Sequence, residues 1–195
     1  SEGHDPVLIE WAARSAGMVV PPLKVFDEVS LTLGCHGIVQ RERYVGEPVN
    51  LEGIRLIKEL VEVHGRGGKA AGGGFYDYEG KTRQIWPGLA ELITQTPERT
   101  GLSYIEDRLM FAQIAELGRT LDDGVLRDNR DAEVGAIFGI GFAPASGGPL
   151  AWIDARGVKQ VVKRLSALAE ECGDRFAPSQ TLRTMASEGQ RFFVK

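Results

Sequence analysis

The chain has 195 residues, enough for one large or two small domains, each with a hydrophobic core. Hydrophobic residues make up 43% and charged residues 26%, which is typical of an ordinary globular protein and excludes a fibrous or disordered one. The net charge of −4 argues against nucleic-acid binding, and no apolar run reaches the ~18 residues of a membrane span.

Proline and glycine positions predict helices throughout the first half of the chain. Three helices are expected there, each with a capping residue or proline at its start and a glycine at its end: residues 5–17, 22–34 and 50–65, the last capped by Asn50. Residues 65–82 follow as a glycine-rich loop with an aromatic cluster. A short segment at 86–94 then leads to the second half.

The second half begins with the longest predicted helix, residues 102–122. Its apolar spacing predicts an inward face of Ile105, Leu109, Ala112, Leu117 and Leu121. Shorter helices are expected at 131–139, 149–155, 158–172 and 178–188. No stretch shows sustained strand alternation, so the predicted class is all-α.

An internal repeat is the most informative pattern. Residues 22–27 (Pro-Leu, then Asp five residues after the proline) are echoed by residues 149–154. A second echo joins the glycine and aromatics of 74–76 to those of 189–193. Because Asp27 and Asp154 are equivalent in the repeat, a structural task such as capping a neighbouring helix N-terminus is favoured over catalysis.

The repeat predicts two tandem copies of one helical unit, offset by one element. The second copy begins with the long helix, whereas the first begins beyond its counterpart and lacks it. We expect a truncated first unit at 1–82, a linker at 83–99 and a second unit at 100–195. The missing helix should leave an apolar groove in the first unit along Val7, Trp11, Leu23 and Phe26.

Two segments imitate nucleotide-binding motifs. Residues 65–70 match G-x-G-x-x-A, but a helix is predicted before them and an aromatic loop after them, where a dinucleotide fold needs a strand and a helix. Residues 80–82 (Gly-Lys-Thr) lack the glycine spacing of a phosphate-binding loop. Arg66 and Lys69 in the glycine loop could still approach an anionic ligand, although a surface turn with solvated cations is the commoner arrangement.

No catalytic or metal site is evident from the sequence. Cys35 and Cys172 stand far apart and suggest two buried thiols in a reducing cytoplasm. The three histidines show no metal-ligand spacing. No serine or cysteine has a candidate base near it in sequence.

Five segments together resemble the C-terminal domain of 3-hydroxyacyl-CoA dehydrogenases: residues 17–29, 68–78, 107–111, 139–154 and 185–193. The tandem arrangement resembles that of the alpha subunits of multifunctional fatty-acid β-oxidation complexes, and the Gly-Gly-Pro-Leu segment at 147–150 is the most specific part. The resemblance implies NAD-dependent oxidation of a 3-hydroxyacyl-CoA to the 3-ketoacyl-CoA.

In that family a Rossmann domain carries NAD and the catalytic His–Glu pair, so the resemblance implies no catalytic residue and no cofactor in these residues. It implies a substrate-side part that is inactive without its Rossmann domain and that has an acyl-CoA substrate, a thiolase subunit and homo-oligomer contacts as candidate partners. The residues nearest the acyl-CoA would be Val20, Pro21, Pro22, Leu23, Phe26 and Lys69. The alternative is a stand-alone helical interaction module for dimerisation or thiolase docking.

Overall fold

A computed structural model describes residues 2–46, 52–93, 101–126 and 128–193. Its α-helices are α1 Pro6–Ser15, α2 Pro22–Val29, α3 Leu31–Val45, α4 Glu52–Glu62, α5 Leu89–Leu92, α6 Leu102–Asp122, α7 Asn129–Gly135, α8 Pro149–Arg156, α9 Val158–Cys172 and α10 Gln180–Glu188. Shorter turns are 3-10 helices at Lys69–Ala71, Pro144–Ser146 and Asp174–Phe176 and a π-helical turn at Ala136–Ile140. Within these residues no helix combines the length and apolarity needed to cross a membrane.

A local capping signal fixes the start of α1 as predicted. The Asp5 side chain accepts a hydrogen bond from the Val7 N–H at 2.8 Å, which satisfies a donor at the start of α1. Helix α6 spans Leu102–Asp122, as its apolar spacing predicts. The predicted cap Asn50 lies outside the described residues, and α4 ends at Glu62, just before Gly65.

The prediction of one helix from Pro22 to Gly34 is wrong. Helix α2 ends at Val29, Ser30 adopts φ 91°, and α3 begins at Leu31 and runs past Gly34. The Ser30 side chain accepts from the Leu33 N–H at 3.3 Å and so caps the new helix. A glycine inside a helix costs only about 1 kcal/mol, so Gly34 does not end it.

The prediction of a glycine-rich loop over residues 65–82 is wrong in its last part. The aromatic segment of the glycine-rich loop forms a strand, β1 Tyr76–Glu79, which pairs antiparallel with β2 Thr82–Ile85. A two-residue turn with Gly80 at φ 59° joins them. The aromatic residues favour a strand because they fit the half-buried pleated surface.

The first compact unit comprises Ser1–Trp11 and Val20–Thr100. Its core brings one residue of α3 and one of α4 against the hairpin and α5: Leu31, Leu60, Phe75, Tyr76 and Leu89. The start of β1 therefore contributes to the core of this unit, whereas most of β2 is exposed.

The second compact unit comprises Ala12–Val19 and Gly101–Lys195. Its core is larger and is centred on α6, whose buried face includes Ile105, Met110, Phe111, Ile114 and Ala115. The predicted inward face is correct at Ile105 but wrong at Ala112, which is exposed, because the buried stripe lies one position away along the helix. The Phe111 ring meets the Trp152 ring of α8 edge-on at 5.2 Å.

Candidate functional site

Asp27 holds the first unit together at the middle of α2. Its carboxylate is 1% exposed and accepts hydrogen bonds from the Phe75 N–H (2.7 Å) and the Tyr76 N–H (3.0 Å). The Tyr78 hydroxyl donates a third hydrogen bond at 2.9 Å. Asp27 was predicted to cap a neighbouring helix, and that target is wrong: it caps the chain where it enters β1.

Glu10 on α1 performs a second anchoring task in the same unit. One oxygen accepts from the Leu23 N–H at 2.8 Å, in the first turn of α2. The other oxygen accepts a short hydrogen bond from the Tyr76 hydroxyl. Glu10 therefore ties α1 to the start of α2 and to the hairpin, and its helix-capping geometry is the one expected at a helix N-terminus.

The two hairpin tyrosines remain protonated at neutral pH. Burial raises the pKa of Tyr76, and the hydrogen bond to Glu10 raises it further. Burial also raises the pKa of Tyr78, with the hydrogen bond to Asp27 as the next cause. Both phenols are therefore hydrogen-bond donors to carboxylates and have no readily available role as bases.

The glycine loop uses Arg66 internally. Its guanidinium donates to the Gly74 carbonyl (2.6 Å), to the Tyr76 carbonyl (2.8 Å) and to the Asp77 carboxylate (2.6 Å). It also lies over the Trp86 ring, 4.4 Å from its centroid. Of the two cations singled out in the loop, Arg66 is thus a structural residue.

Lys69 is the more available of the two cations. Its side chain is 49% exposed, and its ammonium group lies 2.8 Å from the Glu28 carboxylate of α2. The hydrogen bond from Lys69 is the main reason that the pKa of Glu28 is lowered. An anionic ligand at Lys69 would compete with an exposed ion pair, and such pairs contribute little to stability.

The structure brings the predicted substrate residues together around α2. Pro21 is buried, Phe26 is 46% exposed, and three others are half-buried: Val20, Pro22 and Leu23. The Phe26 ring lies 6.0 Å from the Phe75 ring. Lys69 joins the same helix through Glu28. The six residues thus border one helix, with Phe26 and Lys69 open to solvent.

The second unit repeats the acidic anchors. Glu133 on α7 accepts from the Leu150 N–H (3.2 Å) and the Ala151 N–H (2.7 Å) in the first turn of α8. Burial raises the pKa of Glu133, although these two backbone bonds oppose the shift. Asp154 on α8 accepts from the N–H groups of Phe192 (3.1 Å) and Phe193 (2.9 Å). Its predicted target, a helix N-terminus, is therefore wrong as well.

Sequence reasoning missed Glu10 and Glu133. Each lies before the Pro-Leu segment of its unit and caps the helix that this segment begins. Their distances to Pro22 and Pro149 differ, at 12 and 16 residues, so no fixed spacing in the repeat pairs them. Because the oxygens of Glu133, Asp27 and Asp154 accept from backbone N–H groups, these buried carboxylates are positioned to stabilise the fold and do not resemble an acid–base pair.

Comparison with solved structures defines the class of fold. The dehydrogenase part of multifunctional enzyme 1 from C. elegans superposes with a TM-score of 0.69 at 18% identity, over 93% of this chain and 42% of that one. The 3-hydroxybutyryl-CoA dehydrogenase from Escherichia coli gives a TM-score of 0.68 at 18% identity, over 96% and 56%. The predicted all-α fold, that of the helical C-terminal domain of 3-hydroxyacyl-CoA dehydrogenases, is confirmed.

Sequence comparison gives the particular relatives. The chain is 37% identical over 186 residues to the fatty acid oxidation complex subunit alpha of Vibrio vulnificus and 35% identical over 186 residues to that of Vibrio campbellii. Each match covers 95% of this chain and 26% of the relative, so the chain spans about a quarter of these proteins. No family model matches the chain.

Proposed function

We propose that this chain is the substrate-side and interdomain part of an NAD-dependent 3-hydroxyacyl-CoA dehydrogenase of fatty-acid β-oxidation, and that it is inactive without a Rossmann domain. The observation that carries the proposal is the match of 95% of the chain to fatty acid oxidation complex alpha subunits. The dehydrogenase fold supports it independently. The parent enzyme is proposed to be cytoplasmic, to act on acyl-CoA and to contain a hydratase.

The cofactor NAD does not fit the residues that the structure describes around the glycine loop. Residues 65–70 lie between α4 and a single 3-10 turn, so neither a preceding strand nor a helix N-terminus is present for a pyrophosphate. The Gly68 N–H donates to the Gly73 carbonyl at 2.8 Å, and the Gly73 N–H donates back at 3.1 Å. We therefore place NAD on the Rossmann domain of the same enzyme and assign no step of its chemistry to this loop.

The proposal includes two tandem copies of one helical unit. The same three elements follow each other in both units and support the duplication. Each unit has an eight-residue helix that begins Pro-Leu, then a single residue at positive φ, then a 15-residue helix. The anchors Glu10 and Glu133 cap the equivalent helices. Asp27 and Asp154 each accept hydrogen bonds from two successive backbone N–H groups, and in both units these groups belong to a pair of aromatic residues.

An exposed apolar face supports the view that the first copy lacks a long helix. In the second copy, Trp152 and Ile153 are buried and α6 supplies the Phe111 ring that packs on Trp152. Their counterparts in α2, Val25 and Phe26, are 40% and 46% exposed. Exposure of the expected groove differs among its residues. Val7 (60%) and Trp11 (61%) are exposed, whereas Leu23 is half-buried.

A chimeric enzyme tests the proposed function. This chain replaces the matching 186 residues of the Vibrio vulnificus alpha subunit, and reduction of acetoacetyl-CoA is followed by NADH consumption. We expect turnover in the chimera and none in the isolated chain. Turnover by the isolated chain would overturn the assignment of NAD to another domain. A soluble, cooperatively folding chimera without turnover would overturn the dehydrogenase assignment.

The exposed face of α2 also favours the alternative of a helical interaction module, which serves homo-oligomerisation or thiolase docking. Sedimentation of the purified chain with and without the thiolase subunit of a Vibrio complex distinguishes the two functions. A stable complex together with an inactive chimera would support the module. A monomeric chain that does not bind the thiolase, together with an active chimera, would support the dehydrogenase function.

A further inference from the structure

A cavity of about 450 Å³ opens between α6 and α7 in the second unit. This volume falls in the range of small-molecule pockets, roughly 300–1,000 Å³. Most of the residues that line it are apolar, among them Leu117, Leu126, Ala132, Ala136, Ile140 and Phe142. The alanines leave space where larger side chains would fill the core, and Phe142, which is fully buried, is part of the wall.

Three of the polar side chains that border the cavity are already engaged within α6. The Gln113 amide donates to the Leu109 carbonyl at 3.1 Å, and the Thr120 hydroxyl donates to the Leu117 carbonyl at 2.7 Å. The Glu116 carboxylate pairs with Arg119 at 2.7 Å. The cavity therefore offers apolar contact and few open hydrogen-bonding groups, which suits a hydrocarbon chain better than a polar molecule.

The charged residues at the cavity determine which head group a bound hydrocarbon chain can carry. Glu116 and Asp131 both line it, and the lining residues include no lysine or arginine. Because Glu116 is already paired with Arg119, the Asp131 carboxylate is the charge that disfavours an anionic head nearby, since like charges repel. An uncharged alcohol or an ester-like head avoids that cost.

The wall of the cavity includes an unusual backbone segment. Residues Ala136–Ile140 form a π-helical turn, a rare feature that is frequent at functional sites. On or beside this turn, Val134, Phe138 and Ile140 are 57%, 84% and 66% exposed. A cluster of exposed apolar side chains next to an apolar cavity is the surface expected at the entrance for a hydrocarbon.

We propose that this cavity binds one unbranched aliphatic chain on an uncharged head, as in a fatty alcohol. The site goes beyond the proposed dehydrogenase function, whose substrate contacts are assigned to the first unit.

Titration of the full 195-residue chain with 1-decanol and with decanoate tests the proposal. Calorimetry gives the two affinities, and amide NMR shifts report the location of binding. We expect decanol to bind at least about tenfold more tightly than decanoate, with shifts confined to α6, α7 and residues 136–140. No binding of decanol, tighter binding of decanoate, or shifts elsewhere would overturn it.

A filling variant gives an independent readout. Gly135 lines the cavity in an ordinary helical conformation (φ −61°, ψ −42°), and a Cβ there would meet nothing within 4 Å. Gly135→Leu should therefore keep the fold and weaken decanol binding about tenfold or more. The matched control Gly53→Leu, in a helix of the other unit and also without a neighbour within 4 Å, should leave binding unchanged. Equal binding by both variants would contradict the site.

Discussion

Ser30 and Gly157 share one unusual backbone conformation, with φ 91°, ψ 119° at Ser30 and φ 85°, ψ 123° at Gly157. Each is the single residue between an eight-residue and a 15-residue helix. Ser30 is the one non-glycine residue with positive φ in the described part of the chain. Its hydroxyl offsets part of the strain by donating to the Gly67 carbonyl at 3.1 Å.

Exchanging the residue types at these two breaks should change stability in opposite directions. Gly157→Ser should lower the free energy of unfolding by about 1–3 kcal/mol, because a side chain is strained in this conformation. Ser30→Gly should raise it by up to about 1 kcal/mol, since relief of strain exceeds the loss of one hydrogen bond and a cap. Urea unfolding of both variants measures this. A neutral Gly157→Ser would contradict the argument.

Asp27→Asn should strongly destabilise the first unit. The amide that replaces the carboxylate has one oxygen instead of two, so it leaves one of the Phe75 and Tyr76 N–H groups without an acceptor in a buried site. We expect a loss of about 2–4 kcal/mol, seen as a lower urea midpoint. The neighbouring exposed Glu28→Gln is the control and should unfold like the parent chain. Equal effects of the two substitutions would disprove the anchoring role.

Asp122 should make the stability of the second unit depend on pH. Its carboxylate caps α10 by accepting from the Gln180 N–H (2.8 Å) and the Thr181 N–H (2.9 Å). Burial alone would raise the pKa of Asp122, but the hydrogen bonds from Thr181, Gln180 and Ser179 outweigh it and lower the pKa. The stabilisation is therefore complete above the unfolded value of about 3.9 and is lost as pH falls through the lower folded value.

Asp122→Asn measures that contribution directly. At pH near 7 the variant should be less stable by about 1 kcal/mol or less, because solvent screens this exposed cap. The difference from the parent chain should shrink below a pH of about 4. Asp123→Asn, at the adjacent exposed carboxylate, is the control. A difference that grows as pH falls would reverse the assigned sign.

Phe26→Ala in the chimeric enzyme should impair use of acyl-CoA. If the exposed Phe26 ring contacts the acyl chain, its loss should raise KM and lower kcat/KM roughly fivefold, about 1 kcal/mol. Val39→Ala, at a residue that is 53% exposed on α3, is the control and should leave both unchanged. An unchanged KM in a folded Phe26→Ala chimera would remove Phe26 from the proposed substrate site.

Local signals explain how much of the fold the sequence predicts. The Asp5 cap and the ends of α6 depend on residues close in sequence, and these predictions are confirmed. The helix break at Ser30 was not predicted, because the residue with positive φ is not a glycine. The hairpin was not predicted, because its strands have only four residues each and show no long alternation of polar and apolar residues.

The candidate site is less predictable, because its contacts join distant parts of the chain. Glu10 meets partners 13 and 66 residues away, so no motif of fixed spacing marks it. Asp27 was recognisable as structural from its repeat, but its partners lie 48 to 51 residues further along. The substrate contacts of Val20, Pro21, Pro22, Leu23, Phe26 and Lys69 stay predictions, since they depend on a ligand.

Gly74 lies directly against the Asp27 carboxylate, and a Cβ at position 74 would overlap its oxygens. The two positions should therefore be energetically coupled, because a larger residue at 74 should be tolerated only when the acid at 27 is shortened or lost. Single replacements on either side pass through an unstable intermediate. Among relatives of this chain, we therefore expect the acid and the glycine to be gained and lost together.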